Sequence, residues 1–193
     1  MAFASGAKPP ERYAVLSADM IRNILLFSLL CTSPALLAQG DAAQGKTEDL
    51  FREGEQAYRN GAYPKAIGLF TQVLEQDPDH LNAYLQRGFC HSLQQEYEAA
   101  VADFTAVIGR KHDHLWAYTS RGSAYNKLGK QNLAIADFNT VIGLDPKNQE
   151  AYNNRGWAKK GLGDQAGACA DWEESRKMGN AEAKIILKNN RCK

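Results

Sequence analysis

From residue 47 onward, apolar, aromatic and glycine positions recur with a step of 34 residues. Leu50, Tyr84, Tyr118 and Tyr152 share one register, and Gly54, Gly88, Gly122 and Gly156 share a second. A third holds Gly61, Gln95, Gly129 and Gly163. Ala66, Ala100, Ala134 and Ala168 follow the same step, each succeeded four residues later by Phe70, Phe104, Phe138 or Trp172. Asp77-Pro78 and Asp145-Pro146 close the first and third of four units, which run 47–80, 81–114, 115–148 and 149–182 and leave 183–193 as a tail.

Inside each unit the pattern predicts two helices. Positions 4, 8 and 11 (Tyr125 at position 11 of the third unit) lie on one helical face, and so do the alanine at 20, the ring at 24 and Val or Ser at 27. Positions 14 to 16, rich in Gly, Asn, Gln and Lys, predict the turn between them. A mid-helix glycine costs about 1 kcal/mol against alanine. Its recurrence at position 8 therefore predicts a helix crossing too close for any Cβ, and proline at position 32 stops the second helix.

Tyr118-x2-Arg121-Gly122-x2-Tyr125, Ala134-x3-Phe138 and Pro146, with their counterparts in the other units, resemble the tetratricopeptide repeat (TPR) family. The resemblance covers all four units and implies an all-α, right-handed superhelical solenoid of four helix-turn-helix repeats plus a C-terminal capping helix. His112 and Asn180 stand at the proline position of units two and four, and Gln95 replaces a turn glycine, so the loops there are expected to differ. Position 7, where the family prefers Leu, holds Arg87, Arg121 and Arg155. Position 23 of the same units holds Asp103, Asp137 and Asp171, whereas the first unit has Glu53 and Leu69. This joint change predicts a ladder of bidentate ion pairs, within a unit or between neighbours, in preference to an anion site on the arginines.

In this family the stripe at positions 2, 5, 9 and 12 of each first helix lines a concave groove that binds extended peptides or partner helices. Here that stripe includes Phe51, Asn82, Phe89, Trp116, Asn126, Asn153 and Trp157, the candidate partner-binding residues. Rigid rings among adaptable amides suit protein recognition. The family's clamp for chaperone-tail carboxylates needs Lys, Asn and Arg; Glu48, Phe51 and Glu55 in the first unit argue against that partner class.

Ahead of the repeats, Arg22, an apolar run from Ile24 to Cys31, Thr32-Ser33-Pro34 and the small-residue site ending at Ala38 follow the plan of a secretory signal peptide. The expected organisation is a signal region at 1–38, with Met20 as a candidate start, and a linker at 39–46. The apolar run is too short to anchor a chain across a bilayer, so no membrane span is expected after signal removal. Leu30 before Cys31 disfavours lipidation. These features predict an exported protein, and with the resemblance of the closing segment described below, a bacterial one, periplasmic or secreted.

Twenty-three Lys and Arg face 22 Asp and Glu over 193 residues. That balance carries no basic stripe for nucleic acid. No Ser/His/Asp set, phosphate-cradling loop or paired catalytic carboxylates stand out, so the chain is expected not to be an enzyme and to need no cofactor or metal. His112, His114 and His80 read as polar loop residues, and Cys90 as a small buried hydrophobe. The stretch from Gly163 to Cys192 looks like the closing segment of exported bacterial TPR proteins. There Asn180 would cap a last helix, and a Cys169–Cys192 bridge would staple it in an oxidising compartment; two reduced thiols are the alternative. The expected function is a non-enzymatic protein–protein interaction scaffold or adaptor in the cell envelope, holding a protein or peptide segment in the groove. The alternative is an accessory subunit that binds through its convex face or cap. Nothing points to a small-molecule substrate.

Overall fold

The computed structural model describes residues 34–192, with side chains from residue 44 onward. The apolar run Ile24–Cys31, and with it most of the expected signal region, lies outside the described residues. Among the described residues the elements are nine helices and no strands. They are α1 (Pro34–Arg59), α2 (Tyr63–Gln76), α3 (Leu81–Leu93), α4 (Tyr97–Arg110), α5 (Leu115–Lys127), α6 (Gln131–Leu144), α7 (Gln149–Gly161), α8 (Gln165–Lys177) and α9 (Ala181–Asn189). The stretch 39–46, expected to be a linker, is helical and belongs to α1. Gly40 and Gly45 disfavour helix there, whereas Ala42, Ala43, Gln44 and Lys46 favour it. No described helix is long and apolar enough to cross a membrane.

From residue 45 onward the chain is one continuous stack in which each helix packs against the next. The four units are the hairpins α1/α2, α3/α4, α5/α6 and α7/α8. Their crossings sit at the recurrent glycine. A Cβ on Gly88 would lie 2.8 Å from the Phe104 ring, and one on Gly122 2.8 Å from Phe138. At Gly156 it would meet the Trp172 indole at 2.5 Å. These three rings, like Phe70 under Gly54, are fully buried and have no room to retreat. Val73, Val107 and Val141 line up behind them. Ser175 occupies the fourth such place, where its hydroxyl donates to the Gln149 carbonyl at 2.8 Å.

Each first helix ends in a Schellman turn, the N–H of the residue after a left-handed position donating back to the carbonyl at position 11. The four bonds are Ala62 to Ala57, Glu96 to His91, Lys130 to Tyr125 and Asp164 to Lys159, at 2.8–3.0 Å. Gln95 (φ 63°) takes the same left-handed geometry as Gly61, Gly129 and Gly163, so this turn does not differ from the others. The junctions between units are capped by side chains that recur with the same step: His80, His114 and Asn148 accept from Ala83, Ala117 and Ala151 N–H groups. His80 and His114 are thus helix caps acting through Nδ1, at 3.1 and 3.2 Å, where the sequence suggested only loop polarity. The fourth unit ends earlier: Gly179 (φ 100°) closes it, and Asn180 caps α9.

Left-handed backbone costs a side-chain-bearing residue about 1 kcal/mol. Gln95→Gly is therefore expected to raise stability by about 0.5–1 kcal/mol in urea unfolding, and an unchanged or lower midpoint would contradict that turn.

Candidate functional site

The arginines at position 7 carry the same three-way contact in each of the last three units. Arg121 Nε and Nη2 donate to the two Asp137 carboxylate oxygens at 2.9 and 2.7 Å. Arg87–Asp103 repeats this at 2.9 and 2.7 Å, and Arg155–Asp171 at 2.9 and 2.6 Å. The third arm reaches back to the preceding unit. Arg87 donates to Thr71 at 3.0 Å, Arg121 to Thr105 at 3.1 Å and Arg155 to Asn139 at 2.7 Å. Each fork thus ties its own hairpin together and pins it to its neighbour.

The aspartates are buried and the arginines mostly so, with side chains 6% and 17% exposed for Asp137 and Arg121. Hydrogen bonding to the carboxylates holds all three guanidiniums above their ordinary pKa, against the opposing effect of burial. Tyr84, Tyr118 and Tyr152 at position 4 lie beneath the guanidiniums, at 5.6, 5.6 and 5.2 Å. Lys159 adds a second cation to Asp171 at 2.8 Å. With every guanidinium arm engaged inside the protein, these arginines are no site for a free anion.

Positions 2, 5, 9 and 12 separate into two rows. At about 100° per residue, position 5 lies only about 60° around the helix from the buried glycine and position 12 about 40°, whereas 9 and 2 lie at about 100° and 120°. Phe51, at position 5, is accordingly not a groove residue. It is buried (9% exposed), its ring 5.6 Å from Phe70 and 4.7 Å from His80. Thr119, at position 5 of the third unit, is buried as well. Asn126 and Asn153 are half-buried, each with an amide oxygen enclosed and without a protein donor. Asn126 spends its amide N–H on the Asn154 carbonyl at 3.2 Å.

Positions 2 and 9 face outward. Trp116 is 65% and Trp157 42% exposed, and Asn82 is exposed. Phe89 is half-buried, edge-on to Phe104 at 5.4 Å, as Trp157 is to Trp172 at 5.0 Å. Two adjoining hollows open along this surface. One, of 360 Å³, lies between Phe89, Tyr97, Trp116 and Glu150; the other, of 400 Å³, lies between Asn126, Gln131, Asn154 and Trp157. Ser123 and Lys127 line both.

Two family models match the chain, "TPR repeat" over residues 122–163 and "Tetratricopeptide repeat" over 57–118, together more than half its length. This chain belongs to the tetratricopeptide repeat family. Among solved structures, MamA 41-end from Desulfovibrio magneticus RS-1 is 23% identical with TM-score 0.67, covering 83% of this chain and 94% of its own. TTC0263, a thermophilic TPR protein of Thermus thermophilus, is 18% identical with TM-score 0.62, over 75% of this chain and 80% of its own. Both show the all-α TPR superhelix. The first TPR of Spaghetti (RPAP3), bound to the HSP90 peptide SRMEEVD, is 25% identical with TM-score 0.59, over 62% of this chain and 94% of its own. No curated protein matches in sequence.

The last described helix of the TPR array is α9. Ala183, three residues after the cap Asn180, corresponds to Ala83, Ala117 and Ala151, so α9 is a lone first helix of a further unit. Ala183 is its one buried residue, and Ile185 is 63% exposed. A disulfide joins Cys169 on α8 to Cys192 beyond α9, with Cα atoms 5.5 Å apart. Gln165 donates to the Asn190 carbonyl at 3.0 Å, and Lys160 to the Asn190 side chain. Cys90 is a free, buried thiol whose pKa burial pushes up to about 11, which leaves it unreactive at neutral pH. No group of three or more metal-ligating side chains converges among the described residues.

Removing one partner of a buried pair strands the other charge. Asp137→Ala is expected to cost about 3 kcal/mol and to lower the melting temperature; a double replacement of Arg121 and Asp137 by Met and Leu should recover most of it. Closing a loop of this size stabilises by about 3 kcal/mol. Cys192→Ser should therefore expose the amides of α9 to hydrogen exchange before those of α7, and protection unchanged from wild type would count against the bridge as the clasp of the cap.

Proposed function

We propose that this TPR protein is a non-enzymatic adaptor that holds an extended segment of a partner protein in the groove between its second and fourth units. The fold itself is that of a protein–protein interaction scaffold. The observation that carries the finer reading is the paired hollows, in which the exposed Trp116 and Trp157 stand among Asn, Ser and Thr side chains together with Phe89, Tyr97, Lys127 and Glu150. Large rings left in water are costly unless something covers them part of the time. The peptide-bound TPR of Spaghetti supports a peptide ligand as the general mode.

The reading includes export to the bacterial envelope. Arg22, the apolar run from Ile24 and the site at Ala38 support it from the sequence, and the Cys169–Cys192 disulfide supports an oxidising compartment.

The test is capture of envelope proteins on the tagged chain, wild type against Trp116→Ala. Trp116 is exposed, so its loss leaves the fold intact. Partners lost in the variant are expected, whereas partners retained at wild-type yield would move the binding site to the convex face or the cap.

A further inference from the structure

The hollow between Phe89, Tyr97 and Trp116 has a chemistry of its own. Resting on the groove reading above, we propose that it anchors a single arginine side chain of the partner segment. Three rings wall the hollow and a carboxylate, Glu150, stands on its rim. Ring faces attract cations, and an indole does so best. Trp116 carries no ring or cation contact among the described residues, unlike Trp157, which Lys160 already covers at 5.1 Å. Glu150 has neither an ion pair nor a hydrogen bond among the described residues, although it is a charged group beside aromatic surface.

The remaining lining favours guanidinium over ammonium. Ser92, Ser120 and Ser123 offer hydroxyl acceptors around the rings, and a planar group with five donors can stack on Trp116 while reaching Glu150 and a hydroxyl together. Lys127 shares the hollow but forms no ion pair with Glu150. It stands on the ridge common to both hollows, beside Gln131 and Asn154. Lys127 lines the second hollow as well, and the partner's cation is assigned to Glu150 in the first.

The probe is a blocked decapeptide of Ser, Thr and Leu with one central arginine, compared by calorimetry on the full chain with the same peptide carrying citrulline. Citrulline keeps the shape and removes the charge. The arginine peptide is expected to bind about tenfold more tightly. Glu150→Gln should shrink that difference while leaving the citrulline peptide's affinity unchanged, and an undiminished difference would overturn the role of Glu150 in the anchor. Equal affinities in wild type, or no binding of either peptide, would overturn the anchor. Equal affinities that Trp116→Ala abolishes would overturn the anchor alone and keep the groove. Binding of both peptides that survives Trp116→Ala would overturn both.

Discussion

In every unit an aromatic ring fills the space that a Cβ would need on the facing helix. This contact fixes how near the two helices of a hairpin approach: Phe70, Phe104, Phe138 and Trp172 lie against Gly54, Gly88, Gly122 and Gly156 at 2.5–2.8 Å from the absent Cβ. A glycine at mid-helix costs about 1 kcal/mol, and burial of a ring offsets it severalfold at roughly 25 cal/mol per Å². The close crossing brings positions 7 and 23 within reach of each other, so the arginine fork depends on it. It also turns positions 2 and 9 of every first helix away from the packed face, so the groove depends on it as well.

The forks explain which units carry them. An arginine at position 7 needs an aspartate from its own second helix and a side-chain acceptor from the preceding one. Units two, three and four have both. In the first unit no second helix of a preceding unit lies among the described residues, and positions 7 and 23 are the exposed Glu53 and buried Leu69. In α9 the corresponding position is Leu187, and no second helix follows within the described residues to supply an aspartate. Position 8 there is the exposed Lys188. The residue choices at both ends thus follow from which neighbours each helix has, as expected for a solenoid stabilised by nearest-neighbour contacts.

Reading the sequence at a step of 34 was enough for the hairpins, the crossings and the arginine–aspartate pairing, because each repeats the same residue type at the same place. It was not enough where the repeated element is a role filled by different residues. His80, His114 and Asn148 share one capping function, and Thr71, Thr105 and Asn139 share one acceptor function, but neither set is a single residue type. The groove was legible only in part. Treating positions 2, 5, 9 and 12 as one stripe ignored the tens of degrees that separate 5 from 9, and that difference buries Phe51 against Phe70 and His80. Gln95 shows the opposite case: a departure from the pattern that leaves the geometry unchanged, because the Schellman bonds of that turn, Glu96 to His91 and Gln95 to Ser92, are made by backbone atoms.

Terminal helices of a solenoid have fewer neighbours than internal ones, and α9 is the last helix among the described residues. At the C-terminal end α9 covers α8 as half a unit, yet with Ala183 as its one buried residue it has little apolar area to hold it there. Ile186 and Leu187 are only half-buried, and the hydrogen bonds from Gln165 and Lys160 to Asn190 are exposed, so they contribute little against water. A covalent bond from Cys169 to Cys192 ties the end of α9 to α8. A cap held in this way is complete only where thiols are oxidised, so the compartment proposed for the chain and the integrity of its last unit are physically the same condition.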